Sequence, residues 1–262
     1  MSAMTNTFET IMLNTMRNIT APAPSAVFLA LFLSDPTESG SGGTEVSYGG
    51  YARQQVSLTA PATSGMVVKV ENASEIVFPT PAGQAGRVTF GALMDAPTGG
   101  TMLVYTPLTN PIVLTSETSP RFALGEFSLT MSGSMFDPAF KVRMLNFLRG
   151  TTINGFLPFF SLFDGDPTAD GAELSGVGYA RLPLTFDTPS EQISGQMLTS
   201  NINAAQSNQA ANNWGTWAFF VLMDAETGGN RIAFRQNSGG AYSMNNNAQV
   251  YLRPGDIRIA LN

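Results

Sequence analysis

The chain has 262 residues, of which 43% are hydrophobic and only 12% charged, and its formal net charge is -6. This is enough apolar material for one large domain or two ordinary ones, while 13 scattered Lys and Arg on an acidic chain argue against nucleic acid as a partner. His and Cys are both absent. Their absence excludes Ser-His-Asp and Cys-His nucleophile pairs, imidazole bases, zinc sites of the usual ligand types and disulfides.

The start, "MSAMTNTFET", lacks the basic region and apolar stretch of a signal peptide. The longest apolar run, Ala26 to Leu33, is far below the roughly 18 to 20 residues that cross a bilayer. The expectation is a soluble protein made in the cytoplasm, with no membrane partner. Asn6 followed by Glu9 reads as a capping box, and Phe8, Ile11, Met12, Met16 and Ile19 recur at helical spacing until "TAPAP" (Thr20 to Pro24) ends the helix. Short β-like runs follow, separated by Gly, Pro, Asn and Ser: "VFLALFL", "QQVSL", "MVVKV", "EIVF", "RVTFGALM", "MLVYT", "PIVLT" and "FSLTM". Their spacing suggests an antiparallel sandwich or barrel of about eight strands.

A second helix is predicted from Asp137, an N-cap followed by Pro138, leading into Phe140, Met144, Leu145 and Leu148 and ending before "GTTING" (Gly150 to Gly155). The β-like runs then resume as "FLPFFSLF", "ARLPLTF", "WAFFVLM", "RIAFR", "AQVYLR" and "IRIAL". Between Gln192 and Asn213 the chain is rich in Asn, Gln, Ser and Ala, which reads as a long loop outside the core.

These two passages are one pattern written twice. "LNTMRN" (Leu13 to Asn18) matches "LNFLRG" (Leu145 to Gly150), "FLSDPT" matches "FDGDPT", "GGYARQ" matches "VGYARL", and "LMDAPTGG" (Leu93 to Gly100) matches "LMDAETGG" (Leu222 to Gly229). The order is kept throughout, so the chain reads as a tandem duplication of a domain-sized unit. The fold class expected is mainly β: two antiparallel sandwich- or barrel-like units, residues 1–132 and 133–262, each preceded by a short α-helix. "MDAxTGG" between two apolar runs is then a hairpin turn, with Asp as a side-chain acceptor and glycines that tolerate positive φ.

The same residues offer few candidate sites. The acidic loops Ser34 to Glu45 and Asp164 to Glu173 suggest a hard cation, but neither has EF-hand spacing, and Asp-Pro turns at Asp35 and Asp166 explain them better. Tyr51 and Tyr179, each followed by Ala-Arg, could stack on a sugar or base; the favoured reading fills a sandwich edge with Tyr and pairs the Arg with an acidic loop residue. Trp214 and Trp217 could form a sugar platform, but both faces of "WAFFVLM" are apolar, which points to core or interface. The same surplus in "FLPFFSLF" and the second helix implies that the units pack on each other or on neighbouring subunits. No catalytic, cofactor or metal residue is assigned.

The succession of helix, "APAP", "LFLSDPT", acidic Gly-rich loop, "GGYAR", "NASEIVFP" (Asn72 to Pro79), "RVTFGALMDAPTGG" and "GEFSLT", with "WGTWAFFVLMDAETGGN" in the second unit, resembles a family of tailed-phage virion proteins of tail fibre-like or head decoration type. The second unit departs in lacking the strand pattern of "NASEIVFP" and in a shorter Gly-rich stretch before "GYAR". The resemblance implies a structural protein of the virion, with no enzymatic activity or cofactor. Its partners would be other virion proteins, capsid or tail, in a homo-oligomer or lattice. Head decoration is the leading expectation; a tail adhesin binding host glycan through Trp214, Trp217 or the Asn-rich loop, and a tandem-sandwich major capsid subunit, are the alternatives.

Overall fold

The computed structural model describes residues 3–193 and 195–261. In the first copy, helix α1 (Asn6–Thr15) precedes strands β1 (Val27–Phe32), β2 (Val67–Glu71), β3 (Gly86–Met94), β4 (Met102–Leu114) and β5 (Ser128–Met131). In the second, α2 (Pro138–Phe147) precedes β6 (Phe159–Phe163), β7 (Met197–Ser200), β8 (Phe219–Met223), β9 (Arg231–Gln236) and β10 (Arg258–Leu261). The main sheet of each copy is antiparallel, β1-β3-β4 and β6-β8-β9, and a smaller sheet pairs β2 with β5 and β7 with β10. The protein is therefore mainly β with a helix before each unit, as the sequence predicts. None of the described sheets closes into a barrel.

The duplicated turn joins β3 to β4 and β8 to β9. Asp95 Oδ1 accepts from Thr101 N at 2.6 Å, and Asp224 Oδ1 accepts from Asn230 N at 2.6 Å. Gly100 and Gly229 sit at φ +70 and +72, where a Cβ would stand 2.3 and 2.5 Å from those same carboxylate oxygens. Only glycine allows the chain to fold back over the Asp side chain.

Local departures from expectation have identifiable causes. The N-cap of α1 is Thr5, whose hydroxyl accepts from Phe8 N; Asn6 is already helical, and Glu9 does not complete a capping box because it points into the interior. Asp137 caps α2 as predicted, accepting from Ala139 N at 2.9 Å, and also pairs with Arg231 at 2.7 Å. "MLVYT" and "PIVLT" are one strand, β4. Pro107 and Pro111 lie on its outer edge, where a missing N–H costs no ladder bond and discourages pairing with another chain.

The polar stretch from Gln192 to Asn213 contains β7 and part of the core. Thr199, Asn201 and Ala210 are buried. Asn201 explains how: its Nδ2 donates to Asn203 O and Arg253 O at 2.8 and 2.9 Å, and its Oδ1 accepts from Ile257 N at 2.8 Å. Asn72 makes the same three bonds in the first copy, to Ser74 O, Ala123 O and from Phe127 N. A polar residue is tolerated inside when each of its groups is matched. Asn201→Ala strands three backbone groups and is expected to cost about 3 kcal/mol, read as a lower midpoint in urea at unchanged m value.

The two copies clasp each other. α1 packs against its own β4 and against β7 of the other copy, while α2 packs against its own β9 and against β2 of the first. Ala21 and Ile153, mates in the repeat, pair with each other through reciprocal backbone bonds of 2.8 and 3.0 Å, which marks an approximate two-fold relation. Arg17 and Arg149 obey the same relation. Each is held by an Asn three residues earlier at 2.6 Å, and each reaches across the seam, Arg17 to Phe186 O and Arg149 to Leu58 O. Phe8 and Phe147 meet between the helices with ring centroids 5.6 Å apart. One continuous core consequently runs through both copies. The surplus of apolar residues on α2 is explained, since both of its faces meet protein.

Candidate functional site

The repeated "YAR" motif is the best-defined side-chain cluster. Tyr51 Oη accepts from Leu31 N at 3.0 Å and donates to Glu45 Oε1 at 3.1 Å. Arg53 grips the same carboxylate with two bonds of 2.8 Å and turns its remaining amine to Ala96 O and Gly99 O in the hairpin turn. In the second copy Tyr179 accepts from Leu162 N and donates to Glu173, while Arg181 binds Glu173 at 2.8 and 2.7 Å and reaches Ala225 O and Gly228 O. The planar guanidinium thus ties the acidic loop to the turn in both copies.

Electrostatics fit a structural clamp. Burial pushes both Tyr hydroxyls well above their ordinary range, outweighing the backbone bonds they accept, and the bond to Glu45 or Glu173 raises each Arg further, so neither group exchanges protons near neutral pH. Each Tyr also has an aromatic neighbour. Phe78 stacks on Tyr51 with centroids 6.1 Å apart, and Trp214 meets Tyr179 edge-on at 5.4 Å. Trp214 thereby takes the place that "NASEIVFP" fills with Phe78 in the first copy. It is 4% exposed and donates Nε1 to Val177 O at 3.0 Å, so it is core and cannot present a sugar platform. Trp217 is half-buried and lies opposite Tyr242 on a short ribbon.

The acidic loops are held by their own turns. Asp35 accepts from Thr37 N at 2.8 Å; Asp166 accepts from Thr168 N and Oγ1 at 2.8 and 2.7 Å, bonds that keep its carboxyl below the usual range. No group of three or more acidic side chains among the described residues could hold a metal ion. Also among the described residues, no helix is long and apolar enough to cross a membrane.

Comparison with protein families matches residues 3–130 and again 141–260 to one family, described as Podophage GP4 fiber I protein gp80. The chain belongs to this family. It is a phage virion structural protein, and the two matched segments are the two copies of the duplicated unit. No curated protein matches the chain. In the folded repeat both copies share the helix, the "YAR" clamp, the "TGG" hairpin and the closing strand. The copies differ in what covers a shared ribbon: residues 205–217 run beside 242–252 in the second copy as 76–88 run beside 112–122 in the first, but only the second ribbon is rich in Asn and Gln. The Asn-rich composition signalled this region, but not that its two strands of chain run side by side.

Proposed function

We propose that the protein is a non-catalytic component of a fibre on a tailed-phage virion, anchored by other virion proteins and displayed as an oligomer. The match of both copies to a fibre protein family carries this reading. Head decoration, the leading expectation from the sequence, needs apolar surface left over to bind a shell, and much of the apolar surplus is consumed between the two copies. A structural role is supported by the state of the ionisable groups: the clamp Tyr, Arg and Glu side chains are bonded to one another and to the backbone, leaving none poised to attack or accept a proton from a substrate. Immunogold labelling of intact virions with antibody to this chain, combined with copy number from quantified gels, tests the proposal. Label clustered at the tail, at low copy number, is expected; even decoration of the head in high copy number would refute it.

A further inference from the structure

We infer that the second copy carries a binding face for a neutral, hydroxyl-rich glycan on the ribbon formed by residues 205–217 and 242–252. The ribbon is a ladder. Ala205 and Gln206 pair with Leu252 and Tyr251, Ser207 N bonds Val250 O, Ala210 N bonds Ala248 O, Trp214 N bonds Met244 O, and Trp217 pairs with Tyr242. Its inner side is apolar and buried, with Ala205, Ala210, Trp214, Met244 and Leu252 anchored in the core. Its outer side holds nine exposed Asn and Gln side chains, no charged residue, and the rings of Tyr242 and Tyr251, which are 63% and 55% exposed.

The chemistry of that face is specific. A carboxamide offers two donors and an acceptor without charge, which suits hydroxyls that both give and take hydrogen bonds. Tyr adds a flat apolar ring with a polar rim, matching the C–H face of a pyranose. The side chains of Asn212, Asn245, Asn246 and Asn247 have no hydrogen-bond partner among the described residues, so their capacity is available to a ligand. Without Lys or Arg the ribbon has no attraction for phosphate or carboxylate groups. A protein partner fits less well, because the outer side lacks the aliphatic centre and Arg that protein interfaces favour. The first copy supplies the internal control. Its equivalent ribbon, 76–88 beside 112–122, carries the charged residues Arg87, Glu117 and Arg121, the last paired with Glu75, and Gln84 as its one carboxamide. A structural duty common to both copies does not require the cluster.

This inference rests on the fibre reading only for where the face is displayed; binding itself is measured on purified full-length protein, so either can fail alone. The probe is an array of immobilised glucan, galactan and mannan oligosaccharides beside sialylated and uronic-acid oligosaccharides, followed by calorimetric titration. Retention of neutral oligosaccharides is expected. Tyr242→Ala and Tyr251→Ala, both outside the core, should each weaken binding about tenfold at unchanged Tm, while Arg121→Ala in the first copy leaves it unchanged. Absence of any neutral ligand, preference for the acidic set, or binding that survives both Tyr substitutions overturns the inference. So does a purified virion protein that occupies the face while no glycan is retained.

Discussion

Residues 1–132 expressed alone are expected to give no stably folded monomer. The fragment should be largely unfolded by circular dichroism, or should self-associate so that a second copy supplies the missing half. The reason is the shared core: separation exposes Phe8, Met12 and Leu13 on α1 together with Val68 and Val70 on β2, all buried in the intact chain. At roughly 1.5 to 3 kcal/mol for each such side chain, that loss is comparable to the whole net stability of a domain, about 5 to 15 kcal/mol. Mixing with residues 133–262 should restore a cooperative melt and a one-to-one complex, detectable by light scattering. A monomeric fragment with a sharp transition near that of the full chain would show that the two copies fold independently.

Stability of the intact protein should fall as pH rises from about 4.5 to about 7, and Glu9→Gln should abolish most of the fall. Glu9 is 1% exposed, on the face of α1 that meets the second copy, where its Oε2 accepts only a long bond of 3.4 Å from Met197 N. Burial raises its pKa to about 7; the Met197 bond opposes the rise and the nearby negative charge of Glu38 adds to it. Below pH 4.5 the carboxyl is neutral in folded and unfolded chains alike. Between 4.5 and 7 the unfolded chain releases the proton and the folded one retains it, so the stability present at low pH is progressively lost. At about 1.4 kcal/mol per pKa unit the loss approaches 3 kcal/mol, and Glu9→Gln at pH 8 should raise Tm by about 5 to 10 °C. Equal pH profiles for the two proteins would contradict the assignment. The mate of Glu9 is Lys141, also 1% exposed, which satisfies its ammonium on Met66 O and Gly133 O at 2.5 and 2.6 Å. An acid and a base at equivalent positions make the seam asymmetric, a feature open to a duplicated chain and closed to a strict homodimer.

Much of the local structure was legible because it follows from short-range chemistry. "MDAxTGG" needs only an Asp acceptor and glycines at positive φ, and Asp137-Pro138 needs only a cap and a fixed φ, so both could be read from a few adjacent residues. The Arg of "YAR" could likewise be paired with an acidic loop residue, since the loop precedes it closely in the chain. Asn72 and Asn201 were not legible. Their partners lie more than fifty residues away, at Ala123, Phe127, Arg253 and Ile257, and a lone Asn in a polar stretch looks solvent-bound until the fold surrounds it. Glu9 is illegible for the same reason: three residues from Asn6 it fits a capping box, and only the packing of the second copy against α1 turns it inward.

By itself, then, the order of residues determined the duplication, the predominance of β-structure, the two leading helices and the exclusion of His- and Cys-dependent chemistry, because composition and local periodicity suffice for each. The tertiary structure decided how the two copies meet, which polar groups are buried, and that Trp214 belongs to the core while Tyr242 and Tyr251 face outward. Those outcomes depend on contacts between segments far apart in the chain, where burial and hydrogen-bond matching are settled only once both copies have folded around one interior.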